Sequence, residues 1–147
     1  MVKSLVIRLL SLLGLPSLFR HLNRHSLTIL LYHGVAPKAD LGIYNYRGKF
    51  IIPEVFSMEL EYLKRHYTIL DLDDAVEKLR NGTLPTNSLA ITFDDGYKNF
   101  YDFAFPLLKQ HGLTATFFIP TDFVTKQMPL WVDRLEYTSI NRSDKET

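Results

Sequence analysis

Short apolar runs alternate with stripes of apolar residues at helical spacing along most of this chain. Leu27 to Tyr32 (Leu-Thr-Ile-Leu-Leu-Tyr) is continuous and of strand length, the pattern of a strand buried on both faces of a parallel sheet. It ends in His33-Gly34. Residues 36–52 read as a long loop with Pro37, Gly42 and Gly48. Pro53 then opens a helix carrying Phe56, Leu60 and Leu63 on one face. Tyr67 to Leu70 is a short strand, and Asp71 is the expected N-cap of a helix over Leu72 to Arg80, stopped by Gly82. A second buried strand, Leu89 to Phe93, ends in Asp94-Asp95-Gly96. Tyr97 to His111 has a helical pattern that Pro106 must kink or restart, because proline lacks the amide donor. Gly112, a strand over Ala115 to Ile119 and a helix over Leu130 to Ile140 complete the series. Strands and helices in alternation predict βα units, an α/β fold and a mainly parallel sheet.

Before the first strand the pattern changes. Ser4 to Leu13 predicts a helix ended by Gly14 and Pro16, and a short second helix spans Ser17 to Asn23. Residues 1–39 hold Lys3, Arg8, Arg20, Arg24 and Lys38 and no acid, whereas all sixteen acids lie from Asp40 onward. We therefore divide the chain into a basic amphipathic helical segment, 1–25, and an α/β part, 26–147. The expected place of the segment is the edge of the domain. The alternative is peripheral contact with an anionic membrane surface. Arg8 interrupts the leucine run and no small-x-small cleavage site follows, so the segment is expected to be retained. No stretch reaches the ~20 apolar residues that span a bilayer.

Composition changes this picture only at its margins. With 46% hydrophobic and 22% charged residues among 147, the chain can build a core. A net charge of +1 gives no nucleic-acid footprint. The lack of cysteine excludes disulfides, thiolate ligands and a cysteine nucleophile.

The strongest local signal is Thr92-Phe93-Asp94-Asp95-Gly96-Tyr97, directly after an apolar strand. Ligands of parallel α/β folds bind beyond the carboxyl ends of strands, and Gly96 permits a sharp turn there. Two adjacent carboxylates released by such a turn can face one mouth with separate roles, one holding a metal and the other taking a proton from water. The plainer reading is a polar turn, in which Asp and Gly are common for local reasons.

This hexapeptide resembles the first motif of the NodB-type polysaccharide deacetylases. Leu31-Tyr32-His33-Gly34-Val35 is similar to the Tyr-His-x-Val strand end of one branch of that family. Phe56, Leu60, Leu63 and Tyr67 resemble the helix and strand that follow. Ala104, Pro106, Leu107, Gly112 and Thr116 to Ile119 resemble the elements after the motif, and Trp131-x-Asp133 resembles a late feature. The resemblance runs from about Leu27 to Tyr137. It implies an incomplete (β/α) barrel, the first half of the NodB homology fold, and metal-dependent hydrolysis of N-acetyl groups on a polysaccharide or oligosaccharide with release of acetate. It further implies Asp94 as general base and Asp95 as ligand of a divalent metal, usually zinc. His33, Tyr97 and Trp131 are the expected substrate contacts. For His33 a structural role is an equal alternative, and for Trp131 helix packing is the favoured one. Asp133 receives no role.

One departure from the family pattern matters. Its His-Ser/Thr-x-x-His motif is absent, because the histidines are His21, His25, His33, His66 and His111, and none follows Asp95 in that pattern. His21 and His25 have a metal-compatible i, i+4 spacing but no third ligand, and are expected at the surface. The chain is thus expected to be a truncated form, inactive alone. The competing readings are a non-catalytic remnant that binds a glycan, membrane surface or partner, and a haloacid-dehalogenase-type phosphatase. The second is disfavoured because that family spaces its acids as Asp-x-Asp. Asp71-Leu72-Asp73 imitates the Asp-x-Asp of nucleotide-sugar transferases, but helix capping explains it better.

Overall fold

The computed structural model describes residues 10, 14–37, 48–126, 128, 130–135 and 138. Helix α1 (Leu15–Leu22) precedes β1 (Thr28–Tyr32), β2 (Gly34–Val35) and β3 (Phe50–Ile51). Then follow α2 (Pro53–His66), β4 (Thr68–Ile69), α3 (Leu72–Arg80), β5 (Ser88–Phe93), a wide π turn (Phe100–Ala104), α4 (Phe105–His111), β6 (Thr116–Phe117) and α5 (Thr121–Lys126). Of the expected Ser4–Leu13 helix only Leu10 is described, and it is helical. Within the expected Leu130–Ile140 helix, residues 131–135 and 138 are helical, Leu130 is not, and 136, 137, 139 and 140 lie outside the described residues, as does the polar tail from Asn141.

Strand β5 is the axis of the sheet. Every residue of Ser-Leu-Ala-Ile-Thr-Phe is buried. It pairs in parallel with β1 along one edge, Thr28 opposite Leu89 through Tyr32 opposite Phe93. Two short strands pair with its remaining edge, β4 at its start and β6 at its end, both parallel. Parallel strands need crossovers, and α2, α3 and the π turn with α4 supply them. Thr92 is buried without cost because its hydroxyl donates to the Leu30 carbonyl at 3.1 Å.

The core lies on the helix side of this sheet. Phe56, Leu60 and Leu63 of α2, at i, i+4 and i+7, meet Leu89, Ile91 and Phe93 of β5 together with Ala104 and Leu108. Phe93 is the hub: its ring lies 5.3 Å from Tyr32, 5.8 Å from Phe56 and 4.8 Å from Phe100, which stacks on Phe117 at 4.1 Å. Offset and edge-on ring pairs of this kind add to the area buried.

Two sequence expectations are corrected. Strand β1 is not buried on both faces, since Ile29 and Leu31 are 53% and 54% exposed. Side chains alternate along a strand, and only the face bearing Leu30 and Tyr32 meets the helices among the described residues. The second correction concerns residues 36–52. Residues 38–47 lie outside the described set, but Phe50–Ile51 is a strand, paired in parallel with Gly34–Val35 in a separate two-stranded ribbon. Helix α5 was not anticipated.

Other expectations hold. The Asp71 carboxylate accepts from the Asp73 amide at 3.0 Å and caps α3. Pro106 does restart the helix: ahead of it the backbone widens, and the Phe105 amide reaches back to the Phe100 carbonyl. Gly112 ends α4 in a left-handed conformation, with Leu113 donating to Leu108 at 2.9 Å.

Replacing Phe93 by Ala empties the centre of the aromatic cluster. It should destabilise the fold by about 3–5 kcal/mol, read as a lowered midpoint in urea unfolding with little change in slope.

Candidate active site

The site forms where β1 and β5 end side by side. Because Tyr32 stands opposite Phe93, His33 and Asp94 leave the sheet at the same level, and the Asp94 amide extends the ladder by donating to the Tyr32 carbonyl at 3.0 Å. The chain then turns back on itself. Asp95 has φ 72° and Gly96 φ 69°, two consecutive left-handed residues. This backbone is unusual for an acid, though Asp tolerates it better than most side chains. Gly96 is required twice over, since a Cβ there would lie 3.2 Å from Ile119 Cγ2.

The turn aims Asp95 toward His33, with Oδ2 to Nε2 at 3.9 Å. Among the described residues, neither Asp94 nor Asp95 makes a hydrogen bond through its carboxylate. Asp95 and Gly96 thus form a turn, and neither carboxylate is spent on capping it. Asp95 opens onto a cavity of about 600 Å³, whose wall includes Leu31, His33, Lys49, Tyr97 and Val132. Partial burial holds the Asp95 carboxyl above the usual carboxylate range. His33 opposes that shift, whereas the neighbouring Asp94 and Asp133 add to it.

Beside the cavity lies a feature that the sequence gave no reason to expect. Lys49 Nζ pairs with Asp133 Oδ1 at 2.6 Å, with side chains only 11% and 17% exposed. The Tyr97 hydroxyl donates to the same carboxylate at 2.8 Å to Oδ1 and 2.9 Å to Oδ2, and accepts from Lys49 at 3.3 Å. Burial raises the Tyr97 phenol far above its ordinary value, and the Asp133 carboxylate strengthens the effect, so the hydroxyl keeps its proton. The three groups tie the residue after the turn to two distant segments. Tyr97 is thus both a wall of the cavity and a structural anchor, and its ring packs edge-on against Phe50 at 5.1 Å.

The remaining expected residues divide. His33 lines the cavity. Trp131 is 74% exposed, while its neighbours Val132 and Asp133 are the ones turned to the site. In the Trp-x-Asp feature, then, the acid is the residue brought to the turn. His21 and His25 are exposed, as expected, and His25 accepts from the Arg24 Nε at 3.0 Å. Asn99 was also missed. Its side chain fills the space above Gly34, where a Cβ would come within 2.2 Å of Oδ1.

Asp95 and His33 have the chemistry of metal ligands, but two side chains fall short of the three protein ligands that catalytic zinc takes. No group of three such side chains able to hold a metal exists among the described residues. The described residues alone therefore do not make a zinc site.

Residues 81–141 match the polysaccharide deacetylase family model. The chain is 29% identical over 110 residues to the poly-beta-1,6-N-acetyl-D-glucosamine N-deacetylase of Staphylococcus epidermidis, covering 69% of this chain and 38% of that protein. To the Staphylococcus aureus protein of the same name it is 33% identical over 73 residues, or 49% of this chain and 25% of that one. Among solved structures, the fold is similar to the Streptococcus pyogenes deacetylase PplD in complex with acetate, with TM-score 0.58 and 27% identity over 66% of this chain and 43% of that one. It is also similar to IcaB from Ammonifex degensii, with TM-score 0.54 and 29% identity over 63% and 37%. The matched part thus spans well under half of each relative.

Two substitutions probe this arrangement. The folded-state pKa of Asp95 is raised, so its contribution to folding is greatest in acid and is lost as pH rises from the ordinary carboxylate range through the folded value. Asp95→Asn removes that cost and also suits the left-handed backbone. The melting midpoint at pH 7 should rise by ~1–3 °C, and the gain should shrink below about pH 4. Asp133→Asn should have the opposite sign, costing about 1–3 kcal/mol in urea unfolding, because it weakens the charged hydrogen bonds that this carboxylate makes with Lys49 and the Tyr97 hydroxyl.

Proposed function

We propose that this chain, whose residues 81–141 match the polysaccharide deacetylase family model, furnishes the strand-end carboxylates of an enzyme that hydrolyses N-acetyl groups on a polysaccharide. The observation that carries the reading is the Asp94–Asp95 turn at the end of the central parallel strand, in which Asp95 lines a cavity and faces His33. The deacetylases named among its relatives favour an N-acetylated glycan, with a β-1,6-linked N-acetylglucosamine polymer as the first substrate to test.

In the proposed reaction water adds to the acetyl carbonyl carbon as its proton passes to the Asp94 carboxylate. The carbon–nitrogen bond then breaks, and the sugar amine takes up a proton as acetate leaves. Asp94 is suited to this as a general base because no neighbouring group occupies its oxygens among the described residues. His33, Tyr97 and Trp131 are the proposed sugar contacts. Asp95 is the proposed carboxylate ligand of a divalent cation, zinc first, in a centre whose other ligands would come from outside the described residues. No step of the reaction is derived through that cation. The sheet is proposed to be the first part of a (β/α) barrel, and the 147 residues alone are proposed to be inactive.

A second reading, a non-catalytic module that binds the glycan, is favoured by the same shortage of ligands among the described residues. Acetate release separates the two. Any longer polypeptide containing this sequence should liberate acetate from N-acetylated oligosaccharide, and Asp94→Asn should lower its rate by ~100-fold or more without loss of bound metal. Asp95→Asn should lower the metal content itself, read by elemental analysis. Full activity in the Asp94 variant, or glycan binding with no acetate release by the longer polypeptide, would sink the first reading.

A further inference from the structure

We propose that α1 is a docking helix for an anionic lipid surface. The helix meets the domain through few groups. Arg20 and Leu15 are its half-buried residues, and the Arg20 guanidinium donates to the Tyr62 hydroxyl of α2 at 2.8 Å and to the Ser17 hydroxyl at 3.2 Å. No residue of the helix is buried. Its large apolar side chains are exposed, Leu18 to 51%, Phe19 to 61% and Leu22 to 68%, and of the three only Phe19 also lines the crevice against Tyr62 and Tyr67. Leu18 and Leu22, one turn apart, stand on one face, with Phe19 at its flank. A helix folded onto a domain edge normally buries such a stripe, and here Leu18 and Leu22 stay exposed beside the Arg20–Tyr62 latch.

Charge identifies the occupant. The exposed apolar stripe is bordered by Arg24, His21 and His25, all exposed. The surrounding sequence, residues 1–39, has five Lys and Arg and no Asp or Glu. A protein partner with an apolar groove would account for the leucines and the phenylalanine but not for an acid-free stretch of this length. A membrane interface rich in anionic headgroups matches both, with apolar side chains at the acyl boundary and cations in the headgroup layer. No helix among the described residues is long and apolar enough to cross a membrane, so the contact is peripheral. The proposal does not depend on the deacetylase reading.

Vesicle co-sedimentation tests it. The full chain should pellet with vesicles of phosphatidylcholine containing about one-third phosphatidylglycerol, and much less with phosphatidylcholine alone. Raising salt from about 0.1 M to about 0.5 M should weaken the binding, because the Debye length shortens. The triple variant Leu18→Ser, Phe19→Ser, Leu22→Ser should reduce partitioning by ~10-fold or more with an unchanged melting midpoint, since none of the three is buried. Arg24→Glu, which leaves the Arg20 latch intact, should also reduce it. Equal binding by the triple variant, or no binding by the parent chain, would overturn the proposal. Lipid-free self-association that the same three substitutions abolish would overturn it too, by giving the face a protein occupant.

Discussion

The structure depends on the parallel pairing of β1 with β5. Their register sets the core, because it puts Tyr32 and Phe93 on the same side as α2. It also sets the site, because the residue after each strand emerges at the same level and brings His33 beside the Asp94–Asp95 turn. Since a slip of one residue moves every side chain to the opposite face, the same apolar contacts that stabilise the sheet hold the acids in place. The fully buried strand and the carboxylate turn are thus one piece of backbone, with Phe93 the last core residue and Asp94 the first one past it.

Around that turn the molecule departs from what stability alone would select. A carboxylate sits partly desolvated on a left-handed backbone, next to a second carboxylate. A nearly dry lysine–aspartate pair stands close by with a tyrosine hydroxyl between its members. The aromatic cluster around Phe93 lies directly before the turn in the same strand. Strain and ionisable groups concentrated at one strand end single it out as a candidate site.

Much of this was legible in the amino-acid order. The uninterrupted apolar run before Asp94 announced β5, the spacing of Phe56, Leu60 and Leu63 announced α2, and Asp71 announced a capped helix. Local periodicity could not supply the rest. The run from Leu27 to Tyr32 reads the same whether one face or two are covered, so the exposure of Ile29 and Leu31 escaped it. Strands of two residues, such as β2 and β3, are too short to carry a period. Lys49 and Asp133 stand 84 positions apart, and nothing in either neighbourhood signals the other. Trp131 drew notice because aromatic rings suit sugar faces, whereas the acid two residues on is what reaches the turn.

The contact between Gly34 and Asn99 has an evolutionary consequence. The amide of Asn99 occupies the volume that any side chain at position 34 would need. A side chain gained at position 34 therefore requires Asn99 to turn away or to be replaced by a smaller residue, whereas Asn99 can shrink with Gly34 unchanged. One member of that pair directly follows His33 and the other lies three residues past Gly96, so the freedom of the site to diversify is narrowed by a steric bargain struck just behind it.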